Sequence, residues 1–220
     1  MYLYLDIETV ADAKIRPELL NDILARVKGT TRESPEEKRA KLIAGFSFAP
    51  LTNQVVCIGL STDKDNTVYA LTNSNEETLM FEFQAEINRL ENMYGESIYS
   101  VVTFNGKAFD IPILMVKCMR YGVHISCIMN AYLESKYRIE KSVDMRDVLT
   151  SWGEEQRGTQ KQWGLYFGLT IPDTGDGSEI QGLWNAGKID EIKLKNNTDI
   201  DVLRELHQRW LMATGQVPTL

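Results

Sequence analysis

Cysteine is scarce and unpaired in this chain. Cys57, Cys118 and Cys127 are an odd set with no CxxC spacing. That pattern excludes a disulfide-stapled scaffold and a zinc ribbon, and predicts reduced, buried thiols in a cytoplasmic protein. Histidine is scarcer still. His124 and His207 lack metal-ligand spacing, and His207 reads as a plain helix residue. No apolar run approaches the ~20 residues of a membrane span. No basic region followed by an apolar one opens the chain, so no signal peptide is expected. Basic excess is missing too: 24 Lys and Arg face 31 Asp and Glu, for a net charge of −7 and a pI near 5.0. A broad cationic surface for nucleic acid is therefore excluded. Any nucleic acid must be met in a local groove, with metal ions offsetting the protein's own acids. Internal repeats and low-complexity tracts are also absent.

What is present is ordinary globular material. The chain has 220 residues, 43% hydrophobic and 25% charged, which suits one domain over 1–220 with a helical insertion at about 11–50. The first strand is Met1 to Glu8. Within the insertion, ELLNDILARVK predicts one helix and SPEEKRAKLI a second, with Ser34 as N-cap, Pro35 at the first helical position and Glu37 completing a capping box. Gln54–Ser61 and Thr67–Leu71 predict a hairpin. Leu79, Phe83, Ile87 and Leu90 predict a helix over Glu76–Tyr94. Ser97–Phe104 is a strand, and Phe109–Tyr121 a helix stopped by Gly122. A weaker strand is expected near His124–Cys127, loop over Tyr132–Ser142, an extended stretch or helix entry from Val143, a short helix over Gln160–Phe167, and a closing helix over Ile189–Ala213. A hairpin beside strand–helix alternation implies an α/β mixed sheet covered by helices.

Three segments carry acids where acids are costly. Asp6 and Glu8 close the apolar run MYLYLDIE. Side chains alternate across a strand, so both point to one face with Ile7 opposite. Two carboxylates there repel each other and call for a cation between them, a divalent metal being the simplest. Asp110 stands at the strand-to-helix junction FNGKAFDIP, as a functional group or as an N-cap. On the last helix Ile192, Asp199, Val202, Leu203, Leu206 and Trp210 share one stripe. Asp199 is the misfit, an inward carboxylate needing a partner or a metal. Lys195, one turn earlier, is the alternative partner. Asp201 goes with Arg204, Glu205 and Gln208 on the wet face. Four carboxylates around two divalent ions form the two-metal arrangement for phosphodiester cleavage, and hard oxygen donors suit Mg²⁺ or Mn²⁺.

The strings LDIETV, FNGKAFDIP and AGKIDEI…TDIDVLRELHQR resemble the DEDD 3′–5′ exonucleases, RNase H-like proteins that include polymerase proofreading domains. The likeness is nearest to predicted 3′–5′ exonucleases related to the proofreading domain of family B DNA polymerases. VDMRDVL, the helix before FGL, GDGSEI and AGKIDEI extend it over most of the chain. It implies an RNase H-like mixed sheet, two Mg²⁺ or Mn²⁺ ions on Asp6, Glu8, Asp110 and Asp199, and 3′–5′ cleavage of single-stranded or 3′-terminal DNA, with RNA as another substrate. It also implies substrate contacts from Thr9, Asn105, Lys107 and Phe109, and a separate polymerase or repair partner. One position departs. The family places Tyr four residues before the last Asp, or His five before, to handle the attacking water; here those positions hold Lys195 and Leu194. Lys195 either takes over that role, holds a phosphate, or stands in the metal's place in a degenerate module that binds nucleic acid or a protein.

Other candidates are weaker. Lys107, Lys117, Arg120, Lys136, Arg138 and Lys141 are a possible basic rim. Tyr132, Tyr137, Trp152 and Trp163 are possible stacking surfaces. Asp144 reads as a helix cap or a support for the site. Gly175–Gly177 reads as a tight turn or an anion-binding loop.

Overall fold

The computed structural model describes residues 1–29, 33–153 and 158–216. Its sheet is built on β1 (Tyr2–Ala11), which pairs antiparallel with β2 (Asn53–Thr62) and parallel with β4 (Ser100–Thr103). β3 (Tyr69–Thr72) extends the hairpin and β5 (Ser142–Asp144) extends the parallel side, giving the order β3-β2-β1-β4-β5. This is the mixed sheet the sequence predicts. The central strand is buried on both faces, as its apolar run requires.

Leu3, Leu5 and Ile7 face one layer, made by α3 (Glu76–Tyr94), α4 (Asp110–Tyr121) and α5 (Ser126–Leu133). The stripe Leu79, Phe83, Ile87 and Leu90 is fully buried there. Gly95 and Gly122 end α3 and α4 in the left-handed conformation that favours glycine. The other face carries Tyr4 with Val102 and Val143 against α9 (Ile189–Ala213), joined by α7 (Gln160–Tyr166). α8 (Ile180–Asn185) packs its Ile180 with Val10 and Ile192.

The insertion after β1 holds α1 (Pro17–Ala25) and α2 (Pro35–Ala44). Ser34 and Glu37 form the expected reciprocal cap. Neither helix buries a residue completely. A 3-10 turn, Phe46–Phe48, returns the chain to β1, where Thr9 Oγ1 donates to the Ser47 carbonyl at 2.6 Å.

Three expectations are corrected. His124–Cys127 is not a strand: α5 begins at Ser126, because Cys127, Ile128 and Ala131 recur at helical spacing and pack on the core. Arg204 is not on the wet face: it is 6% exposed and bonds Asn66 Oδ1 at 2.9 Å and Asp201 Oδ1 at 2.7 Å. Lys117 is no part of a basic rim: it is fully buried, donating to the Asn53 carbonyl at 2.6 Å beside Glu76 at 3.1 Å. No helix among the described residues is long and apolar enough to cross a membrane.

Candidate active site

Strand alternation sends Asp6 and Glu8 to the α9 face and Ile7 into the opposite core. The inward stripe of α9 brings Lys195, Asn196 and Asp199 over them. Carboxylate oxygens of Asp6, Glu8 and Asp199 lie within 4.8 Å of one another, a spacing that one small cation can span. Between Glu8 and Asp199 sits the Lys195 ammonium, 2.8 Å from Glu8 Oε1 and 2.6 Å from Asp199 Oδ2. Lys195 and Glu8 are both buried, so removing either would leave the other without its counter-charge.

Asp110 enters from the opposite side of β1. Phe109 holds the N-cap position of α4 without a side-chain cap, so Asp110 is the first helical residue rather than the cap. Its Oδ1 accepts the Ile7 amide at 3.0 Å. The acid therefore lies against the backbone joining Asp6 to Glu8. It is not one of the three mutually close carboxylates.

Burial disfavours charge throughout the group. It pushes Asp110 up to about 7, against the Ile7 amide that favours the carboxylate. It pushes Glu8 up to about 7 although Lys195 pulls the other way. Asp6 is raised as well, by burial and then by Glu8, Asp110 and Asp199. Burial opposes the Lys195 ammonium, but Glu8, Asp199 and Asp6 outweigh it and hold its pKa above that of an ordinary lysine. Lys195 is therefore a cation here, not a base.

Asn196 was not legible as a site residue. Its Nδ2 donates to Asp6 Oδ2 at 2.7 Å and to the Asp6 carbonyl at 3.3 Å. A Cβ on Gly59 would lie 1.8 Å from Asn196 Oδ1. Gly59 pairs with Asp6 across the β1–β2 ladder, so this glycine is the space that lets the amide reach the acid. A glycine inside the run QVVCIGLS is the signal that could have flagged a close approach.

The second acidic loop is held by Asp144 at the end of β5. Its carboxylate accepts the amides of Asn105 at 2.7 Å, Lys107 at 3.0 Å and Arg146 at 3.0 Å. It thus serves as the expected cap for α6 (Met145–Leu149) and also fixes the turn before Asp110. Asn105 takes a left-handed φ of 66°, and its Oδ1 accepts from Arg146 at 2.6 Å. Lys107 spends its ammonium on the Lys136 carbonyl at 3.2 Å and on that of Arg138. Phe109 is half-buried, its ring 6.3 Å from that of Phe48. Thr9 lines a cavity of about 360 Å³ with Ser47, Phe48, Gly177 and Gln181. His207 is fully buried, its Nδ1 3.2 Å from the hydroxyl of Tyr4, whose ring it meets edge-on. Asp176 within the Gly175–Gly177 loop accepts from the Ser178 amide at 2.7 Å, the mark of a tight turn.

The hairpin-plus-parallel sheet flanked by helices, with acids gathered on its central strand, is a mixed α/β fold. Residues 47–212 match the predicted 3′–5′ exonucleases related to the exonuclease domain of PolB, and the chain belongs to that family. The matched stretch holds Asp110, Lys195 and Asp199, while Asp6 and Glu8 precede it. The fold is similar to that of the family B DNA polymerase from the hyperthermophilic archaeon Pyrobaculum calidifontis, with a TM-score of 0.56 over 93% of this chain at 16% identity. The chain spans 24% of that polymerase. No curated protein matches the sequence.

Proposed function

We propose that this protein is a metal-dependent 3′–5′ exonuclease acting on single-stranded DNA ends. The observation that carries the reading is the convergence of Asp6, Glu8 and Asp199 within 4.8 Å on the central strand and the closing helix. The donor set fits hard divalent ions: every ligand is a carboxylate oxygen, and three acids share the single ammonium of Lys195. Asp6, Glu8 and Asp199, with Asp110 behind them, would hold two Mg²⁺ or Mn²⁺ ions. Such ions, when bound, supply Lewis acidity to the attacking water and to the leaving 3′ oxygen.

The chain's own groups divide the remaining work. Glu8 Oε1 accepts from Lys195 at 2.8 Å, which fixes the orientation of its carboxylate. Lys195 has two of its three N–H donors on Glu8 and Asp199. The third can meet a phosphate oxygen, so Lys195 stabilises charge rather than removing a proton. The cavity beside Thr9 and Phe48 is of a size to receive the terminal nucleotide. Phe109 adjoins that cavity through Phe48, and Asn105 and Lys107 belong to the turn that leads to Phe109.

The position of Lys195 also supports a second reading. An ammonium already between Glu8 and Asp199 offsets the acids as a metal would, as expected of a binding module that has lost its chemistry. The two readings part on one experiment. DNA and RNA oligomers labelled on the 3′-terminal nucleotide are incubated with Mg²⁺ or Mn²⁺, and released products are separated by chromatography. Stepwise nucleoside monophosphates from DNA support the exonuclease. Release from RNA alone moves the substrate to RNA. Intact oligomers of both kinds leave the binding module.

A further inference from the structure

An exposed aromatic pair stands beside the second acidic turn, and the chemistry above does not use it. Tyr137 is 68% exposed and Trp152 38% exposed, with ring centroids 6.0 Å apart at 66°. Large rings held in water forgo burial that a core would give them. Trp152 is also held at a φ of 57°, directly after Ser151 at 47°. Left-handed backbone is strained for a side chain of this size, and such strain gathers at working surfaces.

The loop carrying Tyr137 is firmly built. The Glu134 carboxylate accepts the amides of Glu140 at 2.9 Å, Lys141 at 2.8 Å and Ser142 at 2.7 Å. Lys107 ties the carbonyls of Lys136 and Arg138 to the turn that precedes Asp110. The Tyr137 loop is thus tied to the turn that leads into Asp110. The local segment lacks the acidic excess of the whole chain: over residues 134–152 Lys136, Arg138, Lys141 and Arg146 balance Glu134, Glu140, Asp144 and Asp147. Glu134 and Asp144 turn their carboxylates to backbone amides, whereas Lys136 and Arg138 are exposed. The Lys136 ammonium lies 5.3 Å from the centre of the Tyr137 ring.

Exposed rings interleaved with cations match a single nucleic-acid strand, whose bases stack and whose phosphates seek positive charge. We propose that Tyr137 and Trp152 form a stacking platform for the strand on the 5′ side of the terminal nucleotide, with Lys136 and Arg138 meeting its phosphates. This rests on the exonuclease reading and adds where the uncut strand runs. Stacking accepts any base, so the platform confers dependence on strand length rather than on sequence.

The test separates strand binding from cleavage. Binding of a 5′-fluorescein oligothymidylate of about ten nucleotides is followed by anisotropy in EDTA, where no turnover occurs. Tyr137→Ala and Trp152→Ala are each expected to weaken binding about tenfold. Tyr137→Phe and Trp152→Phe keep a ring and are expected to bind as the wild type does. With Mn²⁺, hydrolysis of the p-nitrophenyl ester of thymidine 5′-monophosphate, too short to reach the platform, should be the same in all four variants. Unchanged oligomer affinity in both alanine variants would overturn the platform, as would an equal loss of ester hydrolysis. Ring-dependent oligomer binding by a wild type that hydrolyses neither the ester nor DNA or RNA oligomers supports the platform and removes the exonuclease reading.

Discussion

Lys195 Nζ and Glu8 Oε1 meet at 2.8 Å across 187 residues of sequence, in a buried contact between the closing helix and the central strand. Without bound metal, this ammonium is the counter-charge for Glu8 and Asp199. Removing one partner of a buried ion pair costs about 3–5 kcal/mol. Lys195→Ala should therefore lower metal-free stability by an amount of that order and cut oligomer cleavage at least tenfold. Added Mn²⁺ should restore much of the stability. Denaturant titrations with EDTA and with Mn²⁺, beside cleavage rates, check this. Unchanged turnover would remove Lys195 from the chemistry.

Gly59→Ala should disturb the site without touching an acid. The new Cβ would overlap Asn196 Oδ1, and the amide would leave Asp6. Overpacking of this kind costs about 1–3 kcal/mol. Asn196→Ala leaves Asp6 without that donor but removes the clash. Both variants should weaken Mn²⁺ binding in calorimetry, and the double variant should be more stable than Gly59→Ala alone. Wild-type Mn²⁺ affinity in Asn196→Ala would show that the amide does not position Asp6.

The raised acids set a pH dependence. Glu8 goes from 4.5 to about 7 and Asp110 from 3.8 to about 7, so the folded protein keeps protons that the unfolded chain has released. Their contribution to stability is full below the unfolded values and is lost as pH rises through about 7. The metal-free protein should lose on the order of 2 kcal/mol between about pH 5 and pH 8 from Glu8 alone. Glu8→Gln should flatten that slope, and Mn²⁺ should oppose it. An identical slope in Glu8→Gln would contradict the assignment.

His207 acts in the opposite direction. Burial pushes its pKa down from 6.5 to about 4, so the unfolded chain takes up a proton first. Stability should fall as pH drops from about 6.5 towards 4, by up to about 3 kcal/mol. His207→Gln, measured by thermal melts across that range, should remove this part of the acid sensitivity while lowering stability near neutrality. Acid sensitivity identical to the wild type would show that His207 is not its source.

Much of this was legible in the sequence because it depends on short-range periodicity. Alternation put Asp6 and Glu8 on one face, the α9 stripe separated Asp199 from Asp201, and the Ser34–Glu37 spacing announced a reciprocal cap that is present. The residues that were misread depend on distant partners. Lys117 is buried because Glu76 and the Asn53 carbonyl await it, and Arg204 because Asn66 does. Asn196 gained its place from a glycine on another element. His124–Cys127 looked like a strand because four residues cannot distinguish a β run from the entry to a buried helix.

The most direct test is a ladder assay. A 5′-labelled single-stranded DNA oligomer is digested with Mg²⁺ or Mn²⁺ by the wild type, Asp6→Ala and Asp199→Ala. The account predicts progressive shortening from the 3′ end by the wild type, none in EDTA, and at least a hundredfold loss in both variants, the order expected when transition-state stabilisation fails. Shortening that persists in Asp6→Ala and Asp199→Ala would contradict it, because the cleavage would then arise outside the carboxylates that Lys195 and Asn196 hold in place.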